Sequence, residues 1–176
     1  MEKDIPKTGD LTVEKLVEAL KLSPHPEGGY FRETYRSNEK LENAALPGRY
    51  EGGRNISTAI LYLITSDAFS AMHRLKTDEI LHFYAGAPAV VFMVYPSGEG
   101  EKIMLGSDIA AGEAPQVTAP RGAWFGIRVA GGGDYTLLGS TVAPGFDFKD
   151  FEMGDREKLT AEYPQHSESI KLFTRL

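Results

Sequence analysis

From residue 56 onward the chain alternates between short apolar runs and turn residues. Strand-length segments lie at residues 57–64, 71–75, 80–84, 89–95, 102–105, 116–119, 124–129 and 135–142. Between them fall Gly86, Pro96-Ser97-Gly98, Gly112, Pro120-Arg121-Gly122 and Gly131-Gly132-Gly133, the residue types that end strands and make turns. Many short strands at this spacing predict a sandwich or barrel. Helical periodicity is confined to the two ends. Val13, Leu16, Val17 and Leu20 recur at helical spacing behind a capping Thr12, and Pro24 and Pro26 stop that helix by Ser23. Residues 155–163 and 167–173 return to helical patterns around Pro164.

Two segments carry no clear pattern. Residues 1–10 read as a loose arm, and residues 41–55, with Pro47-Gly48 and Gly52-Gly53, read as a long loop of the kind that forms lids or stays disordered. Between the first helix and that loop, Tyr30 to Arg36 reads as a strand with charges on both faces. Alternation puts Tyr30, Arg32, Thr34 and Arg36 on one side and Phe31, Glu33 and Tyr35 on the other. Such a strand suits a sheet edge, a subunit contact or a pocket wall.

Bulk properties narrow the function classes. At 176 residues the chain fits one domain, 1–176, with room for a sizeable core. A net charge of -6 argues against a general nucleic-acid binder, although a local basic patch would still suit an anionic small molecule. The absence of cysteine removes disulfides, thiolate nucleophiles and zinc–thiolate sites together. No apolar run approaches the roughly 20 residues of a membrane span, and the polar N-terminus lacks the core of a signal peptide, so a cytoplasmic location is expected.

The chemistry concentrates in residues 73–86. Glu79 follows His73 by six residues, and Gly86 follows Glu79 by seven. A histidine can take and return a proton near neutral pH, and a carboxylate beside it can fix its tautomer and stabilise the imidazolium. His73 and Glu79 are therefore the candidate catalytic pair. The rival reading is a purely structural hydrogen bond.

These motifs carry a family resemblance. His25 to Tyr30 (His-Pro-Glu-Gly-Gly-Tyr), His73 to Glu79 and Val142 to Phe148 (Val-Ala-Pro-Gly-Phe-Asp-Phe) together resemble an uncharacterised family of the cupin superfamily. The resemblance implies a mostly β fold, the double-stranded β-helix or cupin jelly roll, with a short N-terminal helix and C-terminal helices, paired as a homodimer. Cupin metal sites resemble a His-x-His pair, a Glu and a later His. Here the second and last imidazole positions hold Leu75 and Phe125, leaving two ligands where catalytic metals want three. No metal and no other cofactor is therefore expected.

Residues 26–35 also resemble a segment of the dTDP-sugar 3,5-epimerases, cupin-fold enzymes that work without metal. That similarity implies ligand contacts from Phe31 and Glu33. The segment's Arg is Gly28 here, with Arg32 as the nearby substitute, and the epimerases' catalytic Tyr would fall at Val142, with Tyr135 as a stand-in. Tyr30, Phe31, Arg32, Glu33, Gln116, Phe125 and Tyr135 make up the expected ligand-binding set. His25, His82 and His166 are expected to be structural or solvent-facing, and residues 145–148 to form a lid at the barrel mouth or, the favoured reading, to seal the barrel against the C-terminal helices. The leading expectation is a small-molecule-binding cupin that isomerises or epimerises a sugar-like or carboxylate-bearing substrate. A non-catalytic ligand-binding or sensing cupin is the alternative, and a metal-dependent enzyme with an incomplete ligand set is a second.

Overall fold

A computed structural model describes residues 12–175; the arm expected over residues 1–10 lies outside them. In chain order the regular elements are α1 (Val13–Leu20), β1 (Ser23–Pro24), β2 (Tyr30–Arg36), β3 (Lys40–Leu41), β4 (Arg54–Asn55), β5 (Thr58–Thr65), β6 (Ser70–Leu75), β7 (Glu79–Gly86), β8 (Ala89–Val94), β9 (Gly100–Leu105), β10 (Gln116–Ala119), β11 (Trp124–Val129), β12 (Tyr135–Val142), β13 (Phe151–Met153), α2 (Arg156–Glu162) and α3 (Ser167–Phe173). The strands form a six-stranded sheet in the order β1-β2-β5-β12-β7-β10 and a five-stranded sheet in the order β13-β6-β11-β8-β9. The pairings within both sheets are antiparallel. This is a cupin jelly roll with a short N-terminal helix and C-terminal helices, as the strand pattern and motifs predict.

Period-2 alternation explains how each strand serves two layers. Tyr62, Ile64, Leu81 and Leu138 of the larger sheet meet Val91, Met93, Phe125 and Ile127 of the smaller one, forming the barrel core. The opposite face of the smaller sheet, with Met72, Phe92, Val94 and Trp124, packs on Leu159, Tyr163, Ile170 and Phe173 of the C-terminal segment. Trp124 and Phe125 thus face opposite ways, as expected of neighbours on a strand. Arg128 shares the Trp124 face and donates to the Leu172 carbonyl at 2.8 Å. α1 lays Leu16 with Val13, Val17 and Leu20 on the outer face of the larger sheet, against Tyr30, Leu61, Leu63, Tyr135 and Leu137. Its N-terminus is capped by Thr12, whose hydroxyl accepts from the Lys15 N–H.

The segment expected to be a long loop, residues 41–55, is instead anchored. β3 and β4 pair within it, and Arg54, only 3% exposed, reaches the equally buried Asp150 with both ends of its guanidinium. Nε and Nη2 donate to the two Asp150 oxygens at 2.6 and 2.7 Å, while Nη1 donates to the carbonyls of Glu51, Gly52 and Gly53, each at 3.0 Å. One side chain therefore closes its own turn and ties it to the segment just before β13. Nothing in local sequence pattern signals a contact between residues 54 and 150.

Removing one partner of a buried ion pair strands the other charge, which costs about 3–5 kcal/mol. Arg54→Ala is expected to lose stability on that scale in urea unfolding. The Arg54→Ala, Asp150→Ala double variant should lose clearly less than the sum of the two single losses. Additive losses would show that the pair does not act as one anchor.

Candidate functional site

The centre of the barrel is reached by a turn rather than a strand. Between β1 and β2, the His25 N–H donates to Gly29 O and the Gly28 N–H to His25 O, both at 3.0 Å. Gly28 and Gly29 adopt φ of 116° and 70°, and a Cβ on Gly28 would collide with the Phe69 carbonyl and the Arg175 side chain. The double glycine lets this turn lie flat against the barrel. The Glu27 carbonyl accepts from the Ala71 N–H at 3.1 Å and from Arg175, and the Tyr62 hydroxyl donates to Gly28 O at 2.7 Å. The consequence is that the Glu27 side chain, 5% exposed, points into the core.

There it meets His73 from β6. The His73 Nδ1 lies 2.8 Å from Ala71 O and 3.4 Å from a Glu27 carboxylate oxygen, and its Nε2 faces Glu79 at 4.0 Å. Ser70 donates to Glu27 at 3.0 Å, and Ser140 donates to Glu79. The Phe125 ring covers the imidazole at 4.1 Å between centroids, with Phe151 at 5.5 Å. Burial pulls the His73 pKa down, but Glu27 and Glu79 more than offset it and leave it raised to about 9. Burial, with Glu79 adding repulsion, pushes the Glu27 carboxyl up to about 7 against the pull of His73. The two carboxylates thus favour the charged form of the His73 ring, while burial holds the Glu27 carboxyl well above the usual carboxylate range.

Glu27 and Glu79 form part of the wall of a cavity of about 280 Å³. That is close to the lower end of the roughly 300–1,000 Å³ of small-molecule sites. Phe31, Ile60, Tyr62 and Val142 supply apolar wall, and Phe146, Asp147 and Phe148 stand on it as well. His25 also lines it. Its Nδ1 accepts from the Glu27 N–H at 3.2 Å, which places the proton of the neutral ring on Nε2. Burial and the neighbouring His73 charge lower its pKa to about 4, so the neutral form holds at physiological pH.

The expected site residues divide. His73 and Glu79 come together, but His73 lies behind the cavity wall and Glu27 and Glu79 face the space. Phe31 and Glu33 line it, whereas Tyr30 and Tyr135 pack under α1. Arg32 is not on the lining; Arg36 is, because a bulge between Glu33 and Tyr35 shifts the register and returns position 36 to the Glu33 side. Arg36 then holds Glu33 at 2.7 Å. Gln116 is exposed on the outer face, where it meets His82 Nδ1 at 3.0 Å, and Phe125 is buried in the core beside His73. Residues 146–148 stand at the cavity instead of sealing the barrel against the helices. His25 and Glu27 were missed as site residues because the proline-bracketed, double-glycine turn already accounts for its own sequence. The one available signal was an acid locked between a proline and two glycines.

The donor set does not fit a cupin metal centre. Leu75 and Phe125 stand at two imidazole positions, and both ring nitrogens of His73 face oxygens, Nδ1 that of Ala71 at 2.8 Å and Nε2 one of Glu79 at 4.0 Å. Among the described residues no group of three or more His, Cys, Asp or Glu side chains is arranged to hold a metal ion.

With this geometry in view, comparison with known proteins decides the family. The family model described as Cupin superfamily (DUF985) matches residues 14–154. The chain belongs to this family. An uncharacterized protein of Saccharomyces cerevisiae is 31% identical to this cupin over 147 residues, which span 79% of the present chain and 73% of the yeast one. A hypothetical protein from Leishmania major superposes with a TM-score of 0.85 at 34% identity, covering 94% of this chain and all 100% of the other. A Shewanella oneidensis protein does so with a TM-score of 0.82 at 36% identity, over 92% and 96% of the two chains. A variant oxalate decarboxylase from Bacillus subtilis shares the fold alone, with a TM-score of 0.51 at 16% identity, and the cupin spans only 36% of its length.

The charge assignment is testable. Nitrogen-15 NMR of the His73 ring should show an imidazolium at pH 7 that titrates near pH 9, and Glu27→Gln should lower that pKa. The sign for stability follows: a folded pKa raised above the ordinary 6.5 gives a stabilisation present below pH 6.5 and lost as pH rises through about 9. A His73 ring found neutral at pH 7 would contradict the arrangement.

Proposed function

We propose that this cupin binds a small polyhydroxylated, sugar-like molecule and moves a proton next to its carbonyl without a metal, as an isomerase or epimerase. The observation that carries the reading is the pair of carboxylates, Glu27 and Glu79, backing onto one buried imidazolium and facing a cavity with His25 on the same wall. Glu27 is the proton acceptor and donor, since a group poised near the working pH transfers protons in both directions most readily. His73 positions and charges the pair rather than touching the ligand. The His25 Nε2–H is a neutral donor for the oxygen that gains charge as the proton leaves. Apolar walls strengthen each of these interactions by excluding water.

The substrate class follows from the wall chemistry. Two acids near one another disfavour a ligand carboxylate at that end of the cavity and favour hydroxyl groups. Phe31, Phe146 and Phe148 offer flat apolar surface to the C–H face of a sugar ring. An acidic group on the substrate would lie toward Arg36. The epimerase-like segment supports the same reading, because Phe31 and Glu33, the positions it singles out, are on the lining. Val142 stands where the epimerases carry their catalytic tyrosine, so the proton returned to the opposite face of the carbon comes from water.

A sugar or sugar acid that binds should exchange its α-proton with solvent deuterium. In Glu27→Gln that exchange should fall at least about 100-fold, the typical scale of general acid–base catalysis, with binding largely kept. Saturable binding with no deuterium incorporation in the unaltered protein would instead make this a binding or sensing cupin. Normal turnover by Glu27→Gln would sink the mechanism.

A further inference from the structure

A second cleft, of about 520 Å³, opens beside β13 and is lined by Arg49, Arg74, Lys76, Arg121 and Lys149. Two acids share its wall, and both are already engaged: Asp150 by Arg54, and Glu152 by Arg74 at 2.7 Å. Lys76 has only the largely exposed Glu51 at 3.8 Å. Arg49 is held in place by its Nε donating to Lys76 O at 2.7 Å, with its guanidinium 4.8 Å from the Tyr50 ring. Among the described residues Arg49, Arg121 and Lys149 have no carboxylate within ion-pair distance. Three unpaired cations thus surround one concavity on a chain whose net charge is -6. Such a concentration repels itself and raises the local concentration of small anions.

We propose that this cleft binds a phosphoryl-bearing small molecule, with its phosphate oxygens held by Arg121, Lys149 and Arg49. Guanidinium groups match phosphate with paired N–H donors and an ammonium adds a point charge, so the mixture suits a compact anion carrying several oxygens. The size of the cleft leaves room for an organic remainder. A polyanion such as nucleic acid is disfavoured, because the rest of the acidic surface repels it. The position of the cleft is informative as well. Phe151 forms part of its wall, and the ring of Phe151 lies 5.5 Å from that of His73, so a bound phosphate sits one side chain away from the carboxylate site.

The test is a titration of the full chain with inorganic phosphate and, separately, glycerol phosphate, at constant ionic strength, followed by backbone amide NMR. Saturable shifts centred on residues 121–122 and 149–151 are expected, with a dissociation constant weakened at least tenfold in Arg121→Gln, Lys149→Gln. Both side chains are exposed, so the double variant should keep the spectrum of the unaltered fold elsewhere. Arg36→Gln, at the other cavity, should leave the affinity unchanged. Tighter binding of glycerol phosphate than of inorganic phosphate would assign the organic part to the cleft, and equal binding would assign the phosphate alone. A response no larger than that to sodium chloride, or one lost in Arg36→Gln and kept in the double variant, overturns the proposal.

Discussion

The structure depends on a charge buried where it has little water to solvate it. His73 is 3% exposed, and an imidazolium there is tolerable only if the protein supplies acceptors for both of its ring nitrogens. β7 delivers one, Glu79, across a short turn from β6. Nδ1 already has the Ala71 carbonyl of its own strand at 2.8 Å, but a second carboxylate cannot come from a neighbouring strand of the smaller sheet, because β11 pairs Phe125 opposite His73 and β13 pairs Met153 opposite it. It comes from the turn before β2. The glycines at 28 and 29, the Tyr62 hydroxyl and the Ala71 amide all act on that turn, and together they deliver one carboxylate to the core.

The same dependence links the cavity to the periphery. Phe146, Phe148 and Phe151 form a chain of edge-to-face contacts with centroids 5.0 to 6.4 Å apart. Phe151 closes on His73 at one end of that chain, while Phe146 and Phe148 stand at the cavity. The segment is held from both sides. The Phe146 N–H donates to Thr58 at 2.9 Å and its carbonyl accepts from Arg36, while Asp150 is clamped by Arg54. Electrostatic anchors at the rim therefore set the position of aromatic side chains whose other edges shape the site.

Most of the architecture was legible because alternation and turn residues are local signals. The bounds of β10, β11 and β12 follow directly from them. What the pattern did not contain was anything set by distant partners. The anchoring of residues 41–55 rests on Asp150, far along the chain. Arg36 reaches the cavity only through a bulge, which breaks the strict alternation that put it on the Arg32 side, away from Phe31 and Glu33. Tyr135 begins its strand under α1, and no reading of β12 alone reveals which end of the barrel that is. Glu27 is the instructive omission. A Glu-Gly-Gly turn is fully explained by its glycines, and the acid acquires a role only when the turn is laid against β6.

Leu75 and Phe125 on one side and Glu27 on the other are two halves of one solution. With imidazoles at those two positions, His73 would share its cavity with other neutral nitrogen bases, and a cation bound among them would carry the positive charge. Leucine and phenylalanine make that space apolar, so the positive charge that faces Glu79 from β6 is a proton on His73 itself. A proton carries less charge than a divalent metal ion and is held by one ring, so it needs a second carboxylate close by to keep it there; burial otherwise favours the neutral imidazole. Glu27 meets that need, and its own burial pushes its carboxyl up against the pull of His73. The barrel that holds leucine and phenylalanine at those two positions thus also holds a buried carboxylate whose pKa is pushed well above its ordinary value.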